Sequence, residues 1–347
     1  MNYKIAVLIP AFQPDDFLCQ VISEIREFSL PTLIVDDGSG KEYAPVFEKA
    51  LSLGAEVIHF TSNRGKGAAL KSGFKYLKEL GYDAAITADA DGKHTSEDII
   101  NVSNTLRKNP NSLIIGTRNL ASLPLQYKTV NATTARLFRS LYGTSVTDTQ
   151  SGLRGIPLKN TDRLLKLRGE HYEYEMNMLI NYPKLFDELI EIQIETIYVE
   201  GNPSSHFRPI YDNAKIYAVL LKSMPKFLFS SFSSFCIDYL LFAFFIGLTG
   251  GRAVFSTIFA RLFSGCFNFT VNRFLVFGNA KSYTLIKYLI LAGSILTVNC
   301  LLISIATGLF NIPPLIAKVI IEVTMYFVNF TLQNRFAQGK TKHKKGK

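Results

Sequence analysis

Four apolar stretches, residues 227–248, 253–275, 284–307 and 314–334, fill the last third of this 347-residue chain. Each approaches the roughly 20 residues that cross the hydrocarbon core of a bilayer, so the fold must supply these segments with lipid. Lys222, Lys226, Arg273, Lys281, Lys287, Arg335 and the tail GKTKHKKGK all fall on the side where the amino-terminal part lies, whereas the two opposite loops carry only Arg252. Four crossings return the chain to its starting side, and the excess of lysine and arginine puts that side in the cytosol. The net charge of +10 therefore does not point to nucleic acid, because the basic third is also the apolar third. The opening MNYKIAVLIPAF has one lysine and a short apolar run closed by Pro10, the pattern of a first strand and not of a secretion signal. Cys19, Cys236, Cys266 and Cys300 are far apart and form no C-x-x-C pair, which argues against a zinc site or a disulfide framework.

Residues 1–213 have a different texture. IAVLIPAF, TLIVDDGS, AEVIHF, AAITADAD and SLIIGTR read as strands, and the segments after Gln13, Gly40, Gly67 and Thr95 read as helices. Strand and helix in alternation give a mostly parallel sheet covered on both faces, with ligands beyond the carboxyl ends of the strands. Asp36, Asp37, Asn63, Arg64, Asp89, Asp91 and Arg118 collect at those ends. The expected organisation is a cytosolic α/β domain over 1–213, a juxtamembrane segment over 214–226, a four-helix membrane domain over 227–338 and a basic cytosolic tail over 339–347. The juxtamembrane stretch AKIYAVLLKSMPKF either lies along the bilayer surface or packs on the soluble domain as a linker helix.

Sliding the membrane half against itself by 61 positions superposes its two helical pairs without a gap. Lys226 meets Lys287, Ser233 meets Ser294, and NFT at Asn268 recurs at Asn329. Asp238 falls on Asn299 and Arg261 on Glu322, so rare polar residues coincide. This is a parallel repeat, a plan used by some transporters. Asp238, Arg261 and Glu322 lie near mid-depth, where an unpartnered charge costs roughly 2.5 to 3.5 kcal/mol on insertion scales. They are expected to meet in the bundle interior with Lys318, one turn from Glu322, as either a functional cluster or an ion network that fixes helix register.

The chemistry is written in the first half. Asp89 and Asp91, one residue apart at the end of AAITADAD, project from the same side of a strand and suit a hard cation such as Mg²⁺ or Mn²⁺. VDDGSG puts Asp36 and Asp37 at another strand end, where a carboxylate can hold a ribose or base. NRGKGAALKSGF opens a helix whose start favours anions. Together these describe a nucleotide-diphosphate site. G-x-x-x-x-G-K-[ST] does not occur, and GKGAAL lacks the third glycine of a dinucleotide fingerprint, so neither of those folds applies.

VLIPAFQP, VDDGS, NRGKGAAL, ADADGKH, GTR and DTQSGLRG, in that order, resemble the family 2 glycosyltransferases of GT-A fold, in their polyprenyl-phosphate, dolichol-phosphate-mannosyltransferase-like branch. The resemblance covers about residues 3–213; the remainder, with NFTVNRFLVF, resembles the GtrA-like four-helix membrane proteins. It implies an α/β GT-A, Rossmann-like domain plus an all-α four-helix transmembrane domain. It further implies that Pro10, Ala11, Phe12 and Asp37 line the nucleoside pocket and that Asp89 and Asp91 bring a divalent metal to the diphosphate. Arg118 matches the arginine that meets the acceptor phosphate, Lys128 stands at a second cationic contact, and Asp148, Gln150, Ser151 and Arg154 lie beside donor sugar and acceptor. Lys93 departs from the pattern, which has glutamine near the metal; it touches a phosphate instead or leaves the third ligand position unfilled.

A polyprenyl phosphate, with a second pKa of about 6, is already anionic at neutral pH and can attack a sugar without a strong general base. It needs cations, which Arg118, Lys128 and Arg136 or Arg154 supply. Glu175 is the candidate base or acceptor-orienting group, or else a helix-surface carboxylate; Lys66 and Arg64 are candidate diphosphate contacts, and His206 a candidate metal contact. The expected activity is inverting transfer of a hexose from a nucleotide sugar, UDP-glucose-like, to undecaprenyl phosphate at the plasma membrane, catalytic domain and carboxyl terminus cytosolic. The alternative donor is GDP-mannose. The membrane half either flips the product or only anchors, and a homo-oligomer stays open.

Overall fold

Ile5–Ala11 contains no polar residue, and it forms the central strand β1, every residue of which is buried except Pro10, which is partly so. The computed structural model describes residues 3–119, 125–195, 208–222, 224–248, 253–276, 284–310, 312, 314–338 and 343–345. They divide into two units, one of 1–139, 144–220 and 341–347 and one of 140–143 and 221–340.

In the first unit β1 is followed by α1 (Phe17–Glu27), β2 (Thr32–Asp36), α2 (Ala44–Ser52), β3 (Glu56–His59), α3 (Lys66–Glu79), β4 (Ala84–Thr87), α4 (Ser96–Lys108) and β5 (Leu113–Arg118). Then come α5 (Leu125–Tyr142), β6 (Arg154–Pro157), α6 (Thr161–Leu165), α7 (Glu173–Leu185), β7 (Leu189–Ile194) and α8 (Pro209–Leu220). The strands lie in the order β3-β2-β1-β4-β6-β5-β7, and an eighth strand, β8 (His343–Lys345), closes the edge beside β7. β1 to β4 run parallel, as do β5 and β7, while β6 is antiparallel to both β4 and β5. The basic tail thus contributes a strand, parallel to β7, where only a solvated segment was expected.

The alternating side chains of β1 build the core. Val7 and Ile9, with Ile34 and Ile86 on the flanking strands, meet Leu18, Ile22 and Ile25 of α1 and Ile99, Val102 and Leu106 of α4. α4 is well bounded: Thr95 Oγ1 accepts from Asp98 N at 3.1 Å, acids fill the first turn and Arg107 and Lys108 the last. Such a cap stabilises by about 1 kcal/mol, and the charges complement the helix dipole.

Two expectations change here. β4 ends at Thr87, so Asp89 and Asp91 stand in the turn beyond the strand, and strand alternation does not fix their directions. α8, the amino-terminal portion of the expected juxtamembrane segment, belongs to the first unit up to Leu220 and packs on α7.

The second unit contains α9 (Met224–Leu248), α10 (Ala253–Val271), which continues as a π-helical turn over Asn272–Val276, α11 (Leu285–Gly308) and α12 (Pro314–Gln338). These run over the four apolar stretches. α9 packs on α10 and α11 on α12. Met224 and Leu285 begin equivalent helices of the 61-residue repeat, as do Ala253 and Pro314. Asn272 Nδ2 donates to Gln333 Oε1 at 3.0 Å, a bond between residues that the same 61-residue shift makes equivalent. Asn272 also donates to Asn268 Oδ1 at 2.8 Å, and Gln333 Nε2 to Asn329 Oδ1 at 2.8 Å. Phe229, Phe232, Leu240, Phe263, Ile286, Ile290, Leu301 and Phe327 are exposed. Among the described residues no helix is long and apolar enough to cross a membrane. The side chains of Asp238, Arg261, Lys318 and Glu322 lie outside the described residues, so the expected charge cluster is not seen.

Candidate active site

Beyond the carboxyl ends of β1, β2 and β4 the first unit encloses a cavity of about 460 Å³. Among its lining residues are Pro10, Ala11, Phe12, Asp37, Lys66, Asp89, Asp91, Lys93, His94, Arg118, Gln150, Arg154 and Glu175.

Asp89 and Asp91 are each held by a lysine. Lys66, the first residue of α3, places Nζ 2.7 Å from Asp89 Oδ1 and 3.1 Å from Glu175 Oε2. His94 Nε2 lies 3.4 Å from Asp89 Oδ2. Lys93 Nζ is 2.6 Å from Asp91 Oδ2, and its backbone N–H points to Asp91 Oδ1 at 3.3 Å. Burial opposes the charge on Asp89, but Lys66 and then His94 outweigh it and hold the carboxyl well below its ordinary range. Burial likewise opposes the charge on Lys66, and Asp89 and Glu175 reverse the balance, keeping it above the usual lysine value. Burial pushes the nearby Tyr172 hydroxyl up to about 12.

Two glycines let these groups converge. Gly65 has φ +100° at the start of α3, and a Cβ there would collide with His171. A Cβ on Gly152 would collide with the Asp89 carboxylate. That glycine belongs to DTQSGLRG, which β6 draws back toward β4: Thr87 Oγ1 donates to Gly152 O at 2.8 Å, and Gly116 N to Leu153 O at 2.9 Å.

Several of the expected contact residues also bond within the protein. The Asp37 carboxylate accepts from Arg64 N and Gly65 N, both at 2.7 Å, so the anion at the start of α3 is the chain's own. Ala68 N, in the first turn, reaches Glu170 O at 3.0 Å. The buried Arg154 guanidinium donates to Ser151 O and Glu175 O, both at 2.9 Å, and Thr149 O at 3.3 Å; it braces the loop. Asp148 is wholly buried behind the cavity, where Arg118 grips it through Nε at 2.6 Å and Nη2 at 3.0 Å. Burial works against the ionised Asp148, and Arg118 more than compensates, so its pKa falls below the ordinary value. Ser151 is buried and does not line the cavity; Lys128 is exposed on α5 and does not line it either. His206 lies outside the described residues.

Among the described residues no three His, Cys, Asp or Glu side chains form a metal-holding group. Asp89 and Asp91 nonetheless suit Mg²⁺ or Mn²⁺: hard cations of this kind take one or two carboxylates and complete their shell with water and substrate phosphates.

Residues 6–149 match Glycosyl transferase family 2, and residues 226–338 match the GtrA/DPMS transmembrane domain. The chain therefore carries a glycosyl transferase family 2 domain followed by a GtrA/DPMS transmembrane domain. The UDP-N-acetylglucosamine–dolichyl-phosphate N-acetylglucosaminyltransferase of Methanococcus voltae is 27% identical over 246 residues, 65% of this chain and 98% of that one. The undecaprenyl-phosphate mannosyltransferase of Micrococcus luteus is 25% identical over 205 residues, 55% of this chain and 82% of that one. Glucosyl-3-phosphoglycerate synthase from Mycobacterium tuberculosis, solved with Mn²⁺, UDP-glucose and phosphoglyceric acid, aligns with TM-score 0.49 and 19% identity over 64% of this chain and 79% of that one. The transmembrane match rests on the full sequence of 226–338, including apolar residues outside those described.

The glycosyltransferase cavity also contains residues that motif reading passed over. Tyr172 lies at the entrance to α7, and Tyr211, Asp212 and Ile216 come from α8. The legible signal was the aromatic and acidic clustering in EHYEYEMN and RPIYDN. Their convergence depends on α7 and α8 packing together.

Proposed function

We propose that this glycosyltransferase moves a hexose from a nucleoside-diphosphate donor, UDP-linked with gluco configuration, to a polyprenyl phosphate, with inversion and with Mg²⁺ or Mn²⁺ at Asp89 and Asp91. The observation that carries the reading is one cavity beyond the strand ends in which Asp89 and Asp91 face Lys66, Lys93, Arg118 and Glu175. Relatives named for polyprenyl-phosphate acceptors support the lipid, and one named for a uridine donor supports the nucleotide.

Pro10, Ala11 and Phe12, at the end of β1, supply an apolar wall for the nucleoside. A divalent ion at Asp89 and Asp91, when bound, would neutralise charge growing on the departing diphosphate. Lys66, fixed between Asp89 and Glu175, keeps positive charge beside that group throughout, which is how a preorganised site stabilises a developing anion. Arg118, with part of its guanidinium surface open to the cavity, offers charge to the acceptor phosphate. The acceptor is an anion before it attacks, so Glu175 is not needed as a strong base; its Oε2 holds Lys66 at 3.1 Å, and its buried Oε1 lies 4.0 Å from Arg154 Nε. The helical unit, with its exposed apolar side chains, anchors the enzyme in the plasma membrane with the catalytic unit cytosolic.

The test is to incubate the purified full-length protein with UDP-glucose, UDP-N-acetylglucosamine or GDP-mannose, each with Mg²⁺ or Mn²⁺ and undecaprenyl phosphate, and to weigh the lipid product. A UDP-hexose adduct that disappears in chelator is expected. No lipid adduct from any donor would overturn the reading. For anchoring, outward appearance of preloaded lipid-linked sugar in vesicles containing Asp91→Asn should match protein-free vesicles; faster appearance would make the helical unit a carrier.

A further inference from the structure

Lys93 differs from Lys66, Arg118 and Arg154, which also line the cavity. Lys66 is shared between two carboxylates, Arg118 is clamped by Asp148, and Arg154 is bonded to three carbonyls. Lys93 bonds Asp91 at 2.6 Å from the same turn, and its side chain remains 26% exposed while lining the cavity. A neutral glutamine at this place offers a carbonyl oxygen to a cation. An ammonium cannot: it offers three N–H donors and a positive charge, and no lone pair.

We infer that Lys93 is a donor-diphosphate ligand that bridges Asp91 to a phosphate oxygen, doing part of the work of a divalent ion. The inference rests on the donor-site reading above. One N–H stays on Asp91 while another meets the phosphate, so the carboxylate that would repel the diphosphate is already neutralised when the donor enters. Four residues of one turn, Asp89, Asp91, Lys93 and His94, therefore carry both the acids for a metal and a built-in cation. The consequence is that nucleoside-diphosphate binding survives chelation, and that this tolerance belongs to Lys93. A purely structural ion pair would fix the turn and leave nucleotide affinity without metal unchanged on substitution.

Calorimetric titration of the detergent-solubilised full-length protein with UDP, and separately GDP, in Mg²⁺ and in EDTA decides it. The wild type should bind one of them in EDTA within about tenfold of its Mg²⁺ affinity. Lys93→Gln should lose at least about tenfold in EDTA, which is about 1.4 kcal/mol, and recover in Mg²⁺. Lys93→Arg should keep the chelator-resistant binding, which separates charge from folding damage. Equal binding of wild type and Lys93→Gln in EDTA overturns the inference. So does wild-type binding seen only with Mg²⁺, which leaves the donor site standing. Binding of neither nucleotide in either buffer overturns both.

Discussion

In the catalytic unit the polar groups at the cavity include charged pairs, Lys66 with Asp89 and Glu175, Lys93 with Asp91, Arg118 with Asp148. In the helical unit the described polar groups include a chain of neutral amides, the buried Asn268, Asn272 and Gln333 and the half-buried Asn329, bonded to one another. The difference follows from what lies around each. A cavity open to water can keep charges, because solvent shares their solvation, as would the anionic donor proposed above. A helical unit whose surroundings are apolar favours amides, since a buried charge without a partner costs far more than an amide. An amide pair joining equivalent positions of the two repeats also ties the hairpins together without introducing charge.

The largest test breaks a charge pair. Arg118→Met leaves Asp148 buried beside no guanidinium and should destabilise the catalytic unit by about 3 to 5 kcal/mol, read as a fall in the chemical-denaturation midpoint. Asp148→Asn in the same background should recover part of the loss. The sign of the accompanying pH dependence is fixed by the depressed pKa of Asp148. A carboxyl whose folded pKa lies below its unfolded value of about 3.9 contributes its stability above that pH and loses it as pH falls through the folded value. Unfolding curves should therefore weaken on the acid side of about pH 4, and Asp148→Asn should flatten that limb.

Next comes Asp91→Asn, which keeps shape and removes charge. Transfer to polyprenyl phosphate should drop by about a hundredfold or more, equivalent to about 2.7 kcal/mol of barrier, with little change in unfolding temperature. If turnover persists, the acidic pair is structural and the two units are alike in using their polar pairs for stability alone. The smallest effect belongs to the amides. Asn272→Leu should cost about 1 kcal/mol, and the double substitution with Gln333→Leu should cost less than the sum of the singles. Strict additivity in detergent-solubilised protein would show that the pair does not tie the repeats.

The strands β1 to β5 were legible because each is a short apolar run ended by polar or glycine residues. β7 was passed over, although LIEIQI alternates. β6 was not legible: Arg-Gly-Ile-Pro has no period, and it is a strand because β4 and β5 both pair with it. The acidic pair and Lys66 were picked out by motif and spacing, and Pro10, Ala11, Phe12 and Arg118 by the family resemblance; all of them line one cavity. Their pairings were not legible. Asp148 and Arg154 were expected beside donor sugar and acceptor; within the protein Asp148 also bonds Arg118, and Arg154, which lines the cavity, bonds carbonyls of its own loop. Tyr211 and Asp212 were missed because α8 reads as a linker until it is packed on α7.

Sequence alone determined the alternating α/β half, the apolar helical half with its 61-residue repeat, and the residue types a diphosphate site requires, because periodicity, hydropathy and charge are local properties. Only the tertiary structure decided which charge neutralises which. Asp37 and Glu170 meet the start of α3, Lys66 joins Asp89 to Glu175, and Asn272 meets Gln333 across the repeat. Pairings between residues tens of positions apart are chosen by packing, since a carboxylate accepts from whichever donor the buried strands and helices bring within about 3 Å.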